Sequence, residues 1–204
     1  MARPWFLVLG AICLSHVATA RADESPPLAP QRDVVVTYHL EGVIRPEGAT
    51  KMQVTYADHG RVRLDYYEVA NSPTAFGSLL FDPPADRVIT LVPDKLGYLE
   101  RDVGKLLRPG MFLNASMHFI RQGSATIAGV QCTDWRVLNG TVEDGTACVT
   151  DDGVVLRATR DKPNKGSIEA MTVKYGPPPP GTFAPPPEFK LLQPVQHGTR
   201  QPPK

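Results

Sequence analysis

The densest run of strand and turn signals in the chain is residues 124–160, SATIAGVQCTDWRVLNGTVEDGTACVTDDGVVLRATR. Apolar and polar side chains alternate over residues 133–138, which is typical of a half-buried strand. Asn139-Gly140 and Asp152-Gly153 are turn dipeptides, and each is followed by a further strand-like run. The stretch therefore predicts three short antiparallel strands over residues 133–138, 146–150 and 154–159, joined by two consecutive hairpin turns.

The first of these turns predicts which cysteines face each other. If the turn is centred on Gly140, residues whose numbers sum to 280 are opposite, and Cys132 and Cys148 form such a pair. Directly opposed Cβ atoms in a sheet lie within reach of a disulfide. We predict a Cys132–Cys148 disulfide; the alternative is a pair of reduced, half-buried cysteines on neighbouring strands. A redox pair is disfavoured because the chain has no Cys-x-x-Cys.

The N-terminus has the pattern of a secretory signal peptide. Arg3 precedes an apolar run of about ten residues, and the run ends in small residues that suit cleavage after Ala20 or Ala22. A membrane anchor is the alternative, but a span needs about 20 apolar residues. A lipid anchor on Cys13 is a further alternative, although Ile12 stands where such motifs carry a small residue. We expect a periplasmic or secreted protein, in which a disulfide can form.

The charge balance excludes several classes of partner. The chain has 22 Lys and Arg against 21 Asp and Glu, and removal of residues 1–22 takes away Arg3 and Arg21, which leaves a formal charge of −1. A near-neutral chain without a basic block gives no electrostatic signal for nucleic acid or anionic membranes. We expect no nucleic-acid partner and no transmembrane segment in the mature protein.

Short strands with period-two alternation also fill the first half of the chain. They are predicted over residues 34–41, 51–56, 61–67, 78–81, 87–92 and 98–101, with turns such as Asp58-His59-Gly60 and Pro83-Pro84 between them. One polar and one apolar face per strand is typical of an antiparallel sheet covered on one side. A last strand, over residues 167–175, completes the sheet.

Two segments depart from this strand pattern. Apolar residues over 103–122 recur three to four positions apart, which predicts a helix over residues 111–121 ending near Gly123. Beyond Tyr175 the chain is rich in proline, and Phe183 and Phe189 are the residues expected to tether part of this segment to the sheet. The predicted organisation is a signal peptide (1–22), a flexible leader (23–32), one β-rich domain (33–190) and a disordered proline-rich tail (191–204).

No catalytic or metal-binding pattern is visible. His39, His59, His118 and His197 share no ligand spacing, and the acidic residues near Asp152 lack the calcium-loop pattern. The chain has no G-x-S-x-G elbow and no phosphate-binding loop. We therefore expect a protein that is not an enzyme and that has no cofactor.

The run Ile127-Ala128-Gly129-Val130-Gln131-Cys132, followed by a strand, a turn and another strand, resembles a family of exported bacterial proteins of unknown function. These proteins have the fold of the LolA/LolB lipoprotein-localisation carriers. The resemblance covers the order of elements over residues 33–190. It implies a strongly curved antiparallel sheet, a half-barrel, with one or two short helices in the concave face. In the lipoprotein carriers that face holds acyl chains, and no catalytic residues come with the family.

Large apolar residues on the predicted strands, together with Met117 on the predicted helix, are candidates for such a ligand site. If the sheet curves into a half-barrel, some of them line its concave side. A plain core, in which the same residues pack against the predicted helix, is the alternative. The candidate ligand-binding residues are Tyr38, Tyr56, Leu64, Tyr66, Met117 and Trp135.

Two functions of different classes follow from these expectations. The first is a non-enzymatic binding or carrier protein for an apolar ligand, such as a lipid or a lipoprotein acyl chain. The second is an envelope interaction protein with a packed interior, which contacts a protein partner through a sheet edge or the proline-rich tail.

Overall fold

A computed structural model describes residues 25–42, 46–69, 72–102, 112–140, 142–161 and 165–193. The described chain is mainly β-sheet, as the sequence predicts. Its strands are β1 (Val34–Gly42), β2 (Lys51–Ala57), β3 (Arg61–Tyr67), β4 (Gly77–Asp82), β5 (Arg87–Val92), β6 (Gly97–Asp102), β7 (Met117–Ile127), β8 (Val130–Asn139), β9 (Val142–Val149), β10 (Val155–Arg160), β11 (Gly166–Tyr175) and β12 (Lys190–Leu191).

All twelve strands belong to one open, curved sheet with the order β12-β6-β5-β4-β3-β2-β1-β11-β10-β9-β8-β7. Strands β1 to β6 form one meander of consecutive antiparallel neighbours, and β7 to β11 form a second. The two meanders meet where β1 pairs antiparallel with β11. Strand β12 runs parallel to β6, so the sheet is mixed rather than purely antiparallel.

Alternate side chains of both meanders converge in one hydrophobic core, and we call the face that carries them the inner face. In the first meander Val54 faces Leu64, and Met52 faces Tyr66, as the period-two pattern predicts. Residues from β1, β2, β3 and β7 to β11 belong to this single cluster, and β7 comes close to β11. Distant strands share one core because the sheet curls, so the inner face is concave.

The predicted helix over residues 111–121 is wrong. Residues 117–121 begin strand β7, residues 112–116 form a loop, and Met111 lies outside the described residues. Phe119 is buried and Met117 is half-buried, whereas His118 and Ile120 are exposed, so the period is two. In the described part of the chain, the helical elements are three 3-10 turns, at Asp58–Gly60, Pro83–Ala85 and Pro93–Lys95, between neighbouring strands. The implied helices in the concave face are not seen there.

The Cys132–Cys148 disulfide is confirmed, but the register that predicted it is wrong. Cys148 faces Asp134 across β8 and β9, so Cys132 lies two residues from the directly opposed position. The bond therefore runs diagonally between the strands, with the two Cα atoms 5.5 Å apart. The register differs because β8 and β9 pair as Asn139 with Val142 and because an irregularity follows at Val137/Leu138.

Residues 177–189 lie over the outer face of the first meander. Phe189 packs against Leu80, Ile89 and Leu91, and the Arg61 guanidinium lies 5.0 Å from the centre of the Phe183 ring. Both phenylalanines thus tether the segment, as predicted. Strand β12 then continues the sheet through Leu191, one residue into the predicted tail.

A buried ion pair fixes the same segment. The Arg63 guanidinium donates to both carboxylate oxygens of Asp65, and it also donates to the Thr182 carbonyl at 2.9 Å. The Ser78 hydroxyl donates to Asp65 at 2.6 Å. Because the buried Asp65 carboxylate accepts these charge-assisted and hydroxyl hydrogen bonds, its burial under the proline-rich segment is compensated.

The described part of the predicted flexible leader, residues 25–32, is anchored to the domain. Asp152 in the β9–β10 turn accepts hydrogen bonds from Arg32, Thr150 and Tyr175. Gly153 has a φ of 90°, and a Cβ there would collide with the Ala29 carbonyl. Composition alone predicts a loose leader. It does not reveal that the Asp152 carboxylate binds both the leader and the domain.

Loss of the disulfide is expected to destabilise the domain. The bond closes a loop with a sequence separation of 16 residues, which in the chain-entropy model contributes about 3 kcal/mol. For a domain of this size the Cys132→Ala/Cys148→Ala double variant should unfold about 6–12 °C lower. Thermal unfolding followed by circular dichroism measures this difference. Reductant should lower the midpoint of the wild type and leave that of the variant unchanged; equal midpoints in oxidised wild type and variant would contradict the expectation.

Protonation of Asp152 is expected to weaken the anchor of residues 25–32. Burial raises the pKa of Asp152, but hydrogen bonds from Thr150 and Arg32 outweigh burial and lower the pKa below its usual value. The carboxylate therefore stabilises the fold above its unfolded pKa, and this contribution is lost as the pH falls through the folded value.

We expect Asp152→Asn to cost about 1–3 kcal/mol at neutral pH and to flatten the loss of stability below about pH 4. Urea unfolding between neutral and acid pH measures both effects. Asp151→Asn is the matched control because Asp151 is the exposed neighbour. Parallel pH profiles for the wild type and Asp152→Asn would show that this carboxylate does not carry the effect.

Candidate functional site

Part of the inner face of the second meander carries small side chains, which leave the space beside the concave surface unfilled. Ala147 on β9 faces Ala158 on β10, and Ala158 faces Ile168 on β11. Ile168 in turn faces Leu40 on β1. Two adjacent alanines fill little of the depth of a concave surface, so the sheet leaves space above this row.

The next row towards the strand ends contains three glycines and one arginine. Gly42 faces Gly166, Gly166 faces Arg160, and Arg160 faces Gly145. Gly145 is tightly enclosed, because a Cβ there would collide with the Thr159 carbonyl of β10. Arg160 therefore stands between two positions without side chains.

The first row, together with Gly145 and Arg160 of the second, forms the floor of a cavity of about 230 Å³. Met52 and Tyr66 form one wall from the first meander, while Phe112 and Leu113 reach it from the loop before β7. The lining is apolar except at one end. The lining residues are Leu40, Met52, Tyr66, Phe112, Leu113, Met117, Val137, Asp144, Gly145, Thr146, Ala147, Ala158, Thr159, Arg160 and Ile168.

Asp144, Thr146, Thr159 and Arg160 are the polar residues that line the cavity, and they lie together at one end. Arg160 Nε lies 3.7 Å from Asp144 Oδ1, and the Arg160 side chain is 46% exposed. The hydroxyls of Thr146 and Thr159 are 2.9 Å apart, and the Thr146 backbone N–H donates to the Thr159 hydroxyl. The cavity is thus amphipathic, with a charged opening and an apolar interior.

Two of the six predicted ligand-binding residues, Tyr66 and Met117, line this cavity. Leu64 and Tyr56 belong to the core of the first meander, and Trp135 packs edge-on against Phe119. These three residues and Tyr38 are not among the residues that line the cavity. A role in ligand binding stays a prediction for all six.

Tyr38 is a structural residue at the junction of the meanders. It is fully buried, its hydroxyl donates to the Val155 carbonyl at 2.7 Å, and its ring meets Phe112 edge-on. Burial raises the pKa of Tyr38 and also that of Tyr56. Through its contact with Phe112, Tyr38 holds the loop that forms a wall of the cavity.

The sequence pattern did not reveal the alanines and Gly145 of the floor or the arginine at its end. Ala147 and Ala158 are recognisable only when β9 and β10 are aligned, since each alone is an ordinary strand residue. Arg160 carries no motif. The only signal was the pair of small residues at facing positions, which depends on the correct register.

Metal centres and membrane-spanning helices are two further features that could define a function. Within the described ranges no three His, Cys, Asp or Glu side chains are placed to hold a metal ion. Among these same residues no helix has the length and apolar character needed to cross a membrane.

No family model matches the chain, and no curated protein sequence matches it. Solved structures match its fold. An uncharacterized conserved protein from Thermus thermophilus has a TM-score of 0.51 at 8% identity, covering 78% of this chain and 90% of that protein. The MucA/MucB complex of Pseudomonas aeruginosa has a TM-score of 0.48 at 11% identity, covering 81% of this chain and 59% of the matched chain.

A LolA superfamily protein from Nitrosomonas europaea also matches, with a TM-score of 0.37 at 11% identity, covering 76% of this chain and 90% of that protein. The prediction of a LolA-like fold is in line with this match, and the likeness of fold itself is carried by the Thermus thermophilus protein, at a TM-score of 0.51. At identities of 8 to 11% these matches concern the fold alone. The disulfide is consistent with an exported protein.

Gly145 is expected to be essential for the cavity floor. Gly145→Ala would place a Cβ against the backbone of β10, so it should separate β9 from β10 and lower the unfolding midpoint sharply. Gly123→Ala on β7 is the matched control, because nothing lies within 4 Å of a Cβ there. Thermal unfolding of both variants tests this expectation. A Gly145→Ala variant as stable as Gly123→Ala would contradict the close approach of the two strands.

Proposed function

We propose that this protein is an exported, non-enzymatic binding or carrier protein for one apolar chain, such as an acyl chain. The observation that carries the proposal is the cavity of about 230 Å³ on the concave face, with an apolar interior and a polar opening. The sequence resemblance to lipoprotein carriers implies acyl chains on the same face. The signal-peptide pattern and the disulfide support an exported location.

The size of the cavity favours a single chain rather than a whole two-chain lipid. A protein cavity of about 150 Å³ holds one benzene ring. On that scale, 230 Å³ corresponds to roughly nine carbon atoms. Sites for larger, drug-sized ligands span about 300–1,000 Å³. A medium-length acyl chain, or the end of a longer one, fits this volume.

Native mass spectrometry tests the proposal directly. The protein is purified from its exported compartment and measured before and after mild organic extraction. A removable adduct with the mass of a single-chain lipid supports the carrier function, and its mass identifies the cargo. A clean apo mass before and after extraction, with no uptake on titration, would count against the carrier function. The interior would then be a packed core, and the exposed β7 edge would become the place to look for a protein partner.

Filling the cavity should abolish uptake without unfolding the sheet. Ala158→Leu adds three carbon atoms to the cavity floor, so we expect acyl-chain binding to fall at least about 10-fold. Thr172→Leu introduces the same side chain at an exposed position of β11 and serves as the matched control. Binding of a fluorescent acyl probe measures the difference. Equal binding by the two variants would place the ligand outside this cavity.

A further inference from the structure

We infer that the ligand of this cavity is a single-chain amphiphile with an anionic head group, which Arg160 binds through the two terminal amino groups of its guanidinium. The inference rests on the proposed function and specifies the chemistry of the ligand. It also assigns a polarity to binding: the chain lies in the cavity, and the carboxylate or phosphate lies at the Arg160 end.

The position of Arg160 is the first observation that supports the inference. Arg160 is at the last position of β10, on the inner face, beside Gly145 and Gly166. Of the described residues that line the cavity, only Arg160 and Asp144 carry a formal charge. Because both neighbouring positions are glycines, no side chain there blocks the guanidinium. A head group at the end of the apolar interior can therefore contact it directly.

The hydrogen-bonding of the Arg160 guanidinium is the second observation that supports the inference. Its contact with Asp144 runs from Nε at 3.7 Å, which is an ion pair but too long for a hydrogen bond. Within the described residues, the two Nη groups have no hydrogen-bond acceptor. A guanidinium presents its donors as a planar fork that matches the two oxygens of a carboxylate or phosphate. The Nη edge of Arg160 is thus available for such a head group.

Asp144 limits the affinity and makes it adjustable. Its carboxylate partly neutralises Arg160 and repels an incoming anion, because like charges at close range oppose each other. Replacement of Asp144 by asparagine should therefore tighten the binding of an anionic ligand. The same replacement should leave a neutral ligand of equal chain length unaffected.

The volume of the cavity suits one chain of about nine carbon atoms rather than both chains of a phospholipid. Decanoate, decyl phosphate and decanol are the matching probes, since they share one chain and differ in the head group. Stronger binding of decanoate would identify a fatty-acid head group, and stronger binding of decyl phosphate a phosphate head group.

Isothermal titration of the purified protein with the three probes, each below its micelle concentration, tests the inference. We expect at least one anionic probe to bind about 10- to 100-fold more tightly than decanol, as for a charge-assisted bidentate contact. Arg160→Gln should reduce the affinity for the anionic probe to that for decanol. Arg160→Lys should retain only part of the difference in affinity between the anionic probe and decanol. Asp144→Asn should strengthen the binding of the anionic probe.

Arg157→Gln is the matched control. Arg157 lies on the same strand, and it faces outward to Asp134 and Glu169. The Arg157→Gln variant should leave the affinity for every probe unchanged. The comparison of head groups on the wild-type protein does not depend on any variant, so an unfolded Arg160→Gln protein would not prevent the test.

Two results would overturn the inference in different ways. Equal affinity of the wild type for decanol and both anions, unchanged in Arg160→Gln, would reject the anionic head group and leave the proposed carrier function standing. No binding of any probe would reject the proposed function and the head-group assignment together.

Discussion

The pairing of β1 with β11 holds the whole structure together. Each meander is built from consecutive neighbours, so its own hydrogen bonds are local in sequence. Only β1 and β11 join one meander to the other within the described sheet, with Val34 opposite Tyr175 at one end and Gly42 opposite Gly166 at the other. Tyr38, at the register shift in this pairing, also donates to β10. The shared concave face exists because these two strands are adjacent.

The two faces of the sheet are packed in different ways. On the outer face, residues 177–189 cover the first meander, and the Asp65 carboxylate that is buried there is paired with Arg63 and Ser78. On the inner face the large side chains of the first meander meet the small ones of the second. The cavity arises from that mismatch of side-chain size, and its charged opening arises because strand β10 ends at Arg160.

The sequence predicted the parts of this fold that depend on local patterning. The β2–β3 hairpin, the strands around it and the two tethering phenylalanines follow from period-two alternation and turn residues. The helix was predicted wrongly because Phe112 and Leu113 precede β7 in a loop and add a false three-to-four spacing to an alternating strand. The disulfide was predicted correctly from a register that the structure shifts by two residues, and the cavity floor was missed since its alanines meet only through that pairing.

The joining of the meanders has a consequence for the order in which the chain folds. During synthesis β1 appears first among the described strands, while its partner β11 appears only after the other strands of both meanders have been made. The first meander can form as the chain grows, but β1 then remains an unpaired edge with an apolar face until nearly the whole domain is complete. A chain that stalls or is cleaved before Gly166 would expose this edge, and self-association through β1 would compete with productive folding.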